Sequence, residues 1–538
     1  MNTRTRRRRK GPEPSAGAVP VQPRAQYLRG DRSGILQMRR AITRDGTVNV
    51  REAAARAAAL AWDFMHNSGW LAGAATQVIT DTIGTELKLN CRPNLSRLGY
   101  DAQEQSEFCR LVEAEWHRYA WEPRECDLAG KATIAEMLDG VIRYYLASGE
   151  AFGILDFLPT GQRKRYGIRT GTKISLVASH RLKRETNEFN GMDQGIFHDA
   201  IGRPTHYRFC RRESGMDVDH DIPAYDGRGL RRVVHVMDRG DNPDSPRGIS
   251  PMTPVMKVAA QFDQLADATL ATALMQTIFA ATIKSPEASA AAFEAINSLG
   301  EDYDDLRGDL MDVWGQRLSA LKEGGISMND PARINHLGPG EEFTMHTAST
   351  PGSQYLPFSQ NLQREMARCI GITYESLAMD HSSASYSSVK MSMASIWPIV
   401  LRRRERIAAP FCQAIYENWL DEMIWSGAIP VKGGYAAYSA NRIDVVDTEW
   451  RGPERPSADP YKDALSNKIE LEMGATTMQR IYAAKGLNWE EETDQIAREM
   501  DKLKKIEMPA PFGRSQGGGA GPNGAAAEGL REPAKVVE

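Results

Sequence analysis

Apolar side chains recur at helical intervals in several stretches of the chain. Asp101, with Glu104 three residues on, has the pattern of a helix start in which cap and acid exchange hydrogen bonds. Phe108, Leu111, Val112 and Trp116 follow at three- and four-residue steps, which predicts a helix. A second helix is marked by Ile134, Met137, Leu138, Val141, Ile142 and Tyr145. Gly149 ends it, because glycine accepts the left-handed backbone of a helix C-terminus. Residues 151–157 then read as a buried strand, and 172–238 as short strands separated by Gly, Pro and Asp turns. This half of the chain is α+β.

The middle changes character. Pro251 and Pro254 stand where a first helical turn tolerates proline. From there a helix is expected to run to Ile283, on the order of 45 Å long. Val255, Val258, Phe262, Leu265, Thr269, Thr272 and Gln276 mark one face, and Leu270, Ala273, Leu274 and Ile278 a second. Leu270 is expected to be buried. Residues 284–352 form a smaller α/β segment. It has a polar helical part around Asp304, Asp305, Leu306, Leu310 and Trp314, then strands at 334–337 and 342–346 about the turn Gly338-Pro339-Gly340. A helix over about 356–370 carries Phe358, Leu362, Met366 and Ile370 and is stopped by Gly371. A small, Ser-rich run follows at 380–388, and then a long helix toward Ser426 that Pro398 and Pro410 should kink. Residues 460–507 read as short helices separated by Gly474 and Gly486. The ends, 1–30 with its Arg-rich run and 509–538 with Gly517-Gly518-Gly519, have the composition of disordered segments.

Composition narrows the function. A chain of 538 residues exceeds the roughly 250–300 that one core supports, so several domains are expected. The formal net charge is -3, so any DNA contact must come from local patches rather than from bulk charge. Six cysteines are scattered without a Cys-x-x-Cys pair, which favours reduced thiols and an intracellular protein over a zinc site. No stretch approaches the roughly 20 apolar residues of a membrane span, and the basic N-terminus has no apolar segment behind it, as a secretory signal would. Assembly in a cytoplasm is therefore expected. There is no phosphate-binding Gly-x-x-x-x-Gly-Lys loop and no His-Glu-x-x-His. The acids Asp304/Asp305 and Glu490–Glu492 read as solvated surface, and His180, His235 and His381 as structural or surface residues. No catalytic residue, cofactor or metal site is expected.

The order of these parts resembles the lambda-type portal family of tailed phages. Asp63, Asn67, Trp70 and Gly84 fall in a pattern like that family's first helix. Gly149-Glu150-Ala151-Phe152 is similar to its helix-to-strand junction, and residues 195–207 to its wing hairpin. Val234-His235-Val236 and Arg247-Gly248-Ile249-Ser250 resemble the entry to the stem. Leu337-Gly338-Pro339-Gly340-Glu341 looks like the turn leaving the clip, and Ile370–Leu377 with Tyr386-Ser387-Ser388 like the surroundings of the tunnel loop. The likeness spans about 50–507; the two tails and the acidic stretch 301–312 depart from it.

The resemblance implies a portal fold with wing, two-helix stem, small α/β clip, long kinked helix and helical crown. Its parts would be a basic arm (1–30), wing (31–250 and 391–454), stem helices (251–283 and 353–378), clip (284–352), tunnel loop (379–390), crown (455–508) and tail (509–538). It implies a ring, a dodecamer in the virion, at one capsid vertex, through which double-stranded DNA is packaged and ejected. The implied partners are the large terminase, the major capsid protein, a scaffold and a head–tail connector, with no membrane. Asp380, His381, Ser382, Ser383, Ser385, Ser387 and Lys390 are the channel candidates. Asp263 and Asp267, four apart, together with Gln276, would line the stem channel or a subunit interface. Arg402, Arg403, Arg404 and Arg406 would meet DNA phosphates or, preferably, acids of neighbouring subunits. Two other classes remain: a different head–tail connector or structural virion protein, and a metal-dependent nucleic-acid enzyme, which would need carboxylates converging in a basic cleft.

Overall fold

A computed structural model describes residues 45–240, 243–278, 281–284, 342–345, 352–382, 384–457 and 459–508. The expected arm (1–30) and tail (509–538), most of the clip with its strand at 334–337, and Ser383 lie outside these residues.

Helices α1 (Gly46–Asn67) and α2 (Gly69–Thr82) open the fold. The sequence pattern joined Asp63, Asn67 and Trp70 in one helix, but Ser68 adopts an extended backbone and breaks it in two. Strand β1 (Lys88–Cys91) and helix α3 (Ala102–Trp121) follow. The α3 start has the full reciprocal cap of Asp101 and Glu104. Helix α4 (Ile134–Ser148) buries Met137, Leu138, Val141, Ile142 and Tyr145. It is capped by Thr133 and Glu136 and closes on Gly149 at φ 79°. A side chain at Gly149 would place its Cβ 2.1 Å from the Ile249 carbonyl oxygen, so the turn needs glycine for both reasons.

The strands form two main sheets. β2 (Glu150–Phe157) is the centre of an antiparallel trio with β3 (Thr172–Val177) and β8 (Val233–Met237). Between β3 and β8 lies a four-stranded antiparallel meander: β4 (Met192–Asp193), β5 (Ile196–His198), β6 (Pro204–Glu213) and β7 (Met216–Pro223). Its β5–β6 hairpin falls within the segment 195–207 singled out in the sequence.

Helix α5 (Thr253–Ile278) comes next and is shorter than expected. By residue 281 the chain is already in strand β9 (Ala281–Lys284), which pairs antiparallel with β10 (Glu342–Met345), Lys284 opposite Glu342. Helix α6 (Tyr355–Ile370) returns along α5 and stops at Gly371, φ 78°. A short α7 (Tyr374–Ala378) precedes α8 (Tyr386–Arg403) and α9 (Ala409–Trp425).

The two expected kinks have different outcomes. Pro398 sits inside the helical span of α8. Before Pro410 the chain widens into a π-helical turn over Arg404–Ala408. Such a turn is one way to accommodate a missing N–H donor and the bulk of the proline ring. Strand β11 (Thr448–Arg451) then pairs with β1, tying the late chain to the early chain. Helices α10 (Pro460–Glu472), α11 (Met478–Ala484) and α12 (Trp489–Lys505) end the described residues.

One hydrophobic core runs through α1–α4, β2, the first half of α5, α6 and α9. Its aromatic centre joins Trp116, Tyr119, Tyr416, Trp419 and Trp450, with ring centroids 5.3–6.2 Å apart, largely edge to face. Such pairs add to stability beyond the area they bury.

Candidate functional site

The base of the α5–α6 pair is anchored by a buried ion pair. Glu150 opens β2 and Arg247 lies on the strap that leads into α5, and both side chains are fully buried. Arg247 donates from Nε and Nη2 to Glu150 Oε1, at 2.8 and 2.5 Å. It also reaches the carbonyls of Gln194 (3.1 Å), Ser179 (3.3 Å) and Lys183 (3.3 Å) and lies over the Phe152 ring. His235 stacks on the same ring, with Nε2 3.4 Å from Glu150 Oε2. Burial pushes the Glu150 carboxyl up, but Arg247 and His235 outweigh it and bring the carboxyl down to about 2. Burial holds His235 below the usual imidazole range against the pull of Glu150. Gly248 N–H adds 2.9 Å to Glu150, and Ser250 Oγ donates to the Leu146 carbonyl at 2.7 Å. The start of α5 is thus locked to the α4–β2 junction and the meander. The sequence reading places Glu150 at a helix-to-strand junction and Arg247 at the stem entry but does not pair them. The only local signal was a lone acid ahead of an apolar strand.

The helix pair has two unlike ends. Near the body, Val255, Val258, Ala259 and Phe262 of α5 and Leu362, Met366, Ala367 and Ile370 of α6 are buried. Farther out the apolar residues are uncovered. Leu270 is 61% exposed, a correction to the expectation that it is buried, and Leu356 and Phe358 are exposed as well. Leu270 lies two turns beyond Phe262, the last residue of α5 that is buried among those described. Asp263 is half-buried and Asp267 exposed; burial and the neighbouring Asp267 both push Asp263 upward. Gln276 lies in the final turns of α5.

The Ser-rich segment is shorter as a loop than its composition suggested. Ser385 caps α8, and its hydroxyl accepts from the Ser388 N–H at 3.2 Å. Ser387 and Lys390 are therefore helical, because serine at a cap starts a helix where a run of serines reads as coil. Among the described residues, the loop proper is 379–382 with Ala384 and Ser385. Its first residue, Met379, is exposed and holds φ 51°, a conformation unusual for a non-glycine residue. Asp380 accepts from both the N–H (3.0 Å) and the hydroxyl (2.6 Å) of Ser382, which hold its carboxyl below the ordinary range. His381 and Ser382 are exposed, and Lys390 lies 3.6 Å from Asp463.

The four arginines divide into two pairs. Arg403 is buried and donates to the Ile370 carbonyl, with Tyr145 beside it. Arg404 is buried too. It donates to the carbonyls of Thr82 (2.9 Å) and Pro453 (3.0 Å) and lies 5.8 Å from the Trp397 ring centroid. A Cβ at Gly452 would stand 2.5 Å from its guanidinium carbon, so glycine makes the room. Burial lowers both guanidinium pKa values. These two are internal braces, a correction to the expectation of DNA or neighbouring-subunit contacts: their guanidiniums are taken up by backbone carbonyls of the same chain. Arg402 and Arg406 are half-exposed and share Asp238 of the same chain at 3.3 and 2.9 Å.

Among the described residues, no cluster of His, Cys, Asp and Glu has the arrangement of a metal site, and no helix is long and apolar enough to cross a membrane.

The family model described as phage portal protein, lambda family, matches residues 32–404. Portal protein B of Escherichia phage lambda is 24% identical over 470 residues, covering 85% of this chain and 85% of its own. The portal protein of Escherichia phage N15 is 24% identical over 469 residues, covering 85% and 86%. Among solved structures, a chain in the neck of an empty gene transfer agent particle aligns at 12% identity and TM-score 0.45, over 79% of this chain and 93% of that one. A portal protein of the HK97 family from Corynebacterium diphtheriae aligns at 12% identity and TM-score 0.29, over 68% and 90%.

Proposed function

The chain belongs to the lambda family of phage portal proteins, and on that premise we propose that copies of it close into a dodecameric ring at one capsid vertex, with double-stranded DNA passing through the middle. The observation that carries this reading is the pairing of β9 with β10 at the far end of α5 and α6. The chain leaves and returns at one place there, as an inserted clip on a two-helix stem requires. In this reading α5 and α6 are the stem, residues 379–385 face the channel, and 460–508 form the crown. The large terminase and a head–tail connector dock on the ring, the major capsid protein and scaffold surround it, and assembly takes place in the host cytoplasm.

The electrostatics suit a conduit. DNA carries one charge per ~1.7 Å of axis, so a strongly basic wall would hold it rather than let it slide. A chain of net charge -3 avoids that trap, and the acids Asp263 and Asp267 on one face of α5 make a weakly repulsive lining. Loop 379–385 offers hydroxyls and His381 to touch phosphates without a fixed cation, while the Asp380 carboxylate is engaged by Ser382. The portal performs no chemistry of its own; ATP hydrolysis belongs to the terminase.

Deleting residues 382–385 tests the conduit role. Rings that assemble normally but yield few full-length packaged genomes are the expected result. Normal genome length and yield would leave 379–385 an ordinary surface loop.

A further inference from the structure

The last three helices share a property that the long helices of the core lack. None of the described residues between 460 and 508 is buried. Helix α10 shows what this leaves uncovered. Tyr461, Leu465, Ile469 and Met473 follow one another at four-residue steps and are 77, 45, 47 and 76% exposed. Side chains four apart lie on one face of a helix, so these form one continuous apolar stripe along the whole of the unit's first helix, ending at its C-cap Met473.

The unit's tethers to the body are polar. Ser106 donates to Glu490 at 2.6 Å, Arg110 to Asp494 at 2.6 Å, and Arg451 to the Leu487 carbonyl at 2.9 Å. Lys390 stands 3.6 Å from Asp463. Exposed ion pairs contribute about 0–1 kcal/mol each, and a helix shorter than about 12–15 residues is marginal in water without packing. Polar tethers alone therefore leave a 13-residue helix with a bare apolar stripe short of stabilisation.

We propose that the stripe Tyr461, Leu465, Ile469, Met473 is covered by the 460–508 unit of a second copy of this chain. This rests on the ring reading above. Two arguments select this occupant. Rotation about a ring axis places equivalent segments of neighbouring copies at the same height, so what stands beside 460–508 is the same unit. The charges of α10 are of both signs, with Lys462 and Lys468 against Asp463, Glu470 and Glu472, which suits a protein surface of mixed charge and disfavours nucleic acid. The unit's core is then built between copies, and its helices gain the burial that one chain does not provide.

The test uses full-length protein with a photoreactive benzoylphenylalanine at position 465. Rings are assembled from equal parts of ¹⁴N- and ¹⁵N-labelled chains, irradiated, digested and read by mass spectrometry. Cross-links from 465 should land in 455–508, with about half of them joining peptides of different isotope, as random mixing of copies in a closed ring requires. Intact rings in which 465 links only within its own chain, to another part of the protein, or to nothing would overturn the inference and leave the ring reading standing. Chains that never form rings would overturn both. As a second readout, Leu465→Glu and Ile469→Glu should leave the circular dichroism of the dissociated chain unchanged, because both positions are exposed there. Ring dissociation should then appear at about tenfold higher protein concentration than in wild type. Unchanged ring stability in both variants would also count against the proposal.

Discussion

At the α4–β2 junction the chain completes itself. Glu150 and Arg247 are excluded from water yet paired, Phe152 and His235 stack beside them, and Gly149 and Gly248 let two backbones touch. From 460 to 508 the opposite holds: no residue is buried, and an apolar stripe faces outward. The outer half of the α5–α6 pair resembles the second region, with Leu270, Leu356 and Phe358 uncovered. The contrast separates two kinds of design in one sequence. The interior around the α4–β2 junction is finished within one copy, whereas the projecting parts carry apolar surfaces that, in the reading proposed above, become interiors in an assembly. Substitutions should therefore sort by readout: interior changes alter the stability of the lone chain, and changes on projecting parts alter assembly.

The largest effect is expected from Arg247→Met. It leaves Glu150 buried without its partner, which should cost about 3–5 kcal/mol in denaturant unfolding of the dissociated chain. A loss under about 1 kcal/mol would contradict a self-contained junction. The ion pair also sets an acid limit. The folded-state pKa of Glu150 lies below its unfolded value, so its contribution is complete above about 4.5 and is lost as the pH falls toward about 2.

Glu113 works in the other direction. It lies where α3 and β1 meet the 460–508 unit, accepting from the Cys91 N–H at 2.8 Å with Asn488, Glu491 and Arg451 nearby. Burial, with Glu491 adding to it, raises its carboxyl to about 7. A carboxyl raised on folding favours the folded state at low pH, and that contribution is lost as the pH rises through about 7. Glu113→Gln should therefore flatten the pH dependence between 5 and 8. At pH 8 it should stabilise the chain by roughly 1–2 kcal/mol, a figure discounted for partial exposure to water. Identical pH profiles for variant and wild type would rule this out.

Leu270→Asp should change the stability of the dissociated chain by no more than about 0.5 kcal/mol, since the side chain is already in water there, while weakening the ring. A large loss in the lone chain would place Leu270 back in a core. The smallest expected signal is catalytic. The purified protein should show no ATPase or nuclease turnover with Mg²⁺ or Mn²⁺. Turnover abolished by one carboxylate-to-alanine change, with the ring intact, would make it an enzyme.

Local rules made much of the fold legible. The Asp101/Glu104 cap, the glycine stops at 149 and 371 and the apolar spacing of α4 and α6 all depend on residues within one or two turns, and all appear where the pattern put them. What escaped depends on distant partners. Glu150 meets Arg247 across 97 positions, and Arg404 finds the carbonyls of Thr82 and Pro453. A run of arginines expected to meet DNA or neighbouring subunits is half interior, because Arg403 and Arg404 find carbonyls on distant segments of the same chain. The loop at 379–390 was overextended because Ser385 is a cap, and serine favours both caps and coil. Leu270 was assigned to a core because periodicity shows that a face is apolar but not whether one chain or two will cover it.

Electron microscopy of the purified full-length protein tests the central claim most directly. The account predicts closed rings with a central hole, whose side views show a stem below a broad wing. Monomers at every concentration, or globular particles without a channel, would contradict it.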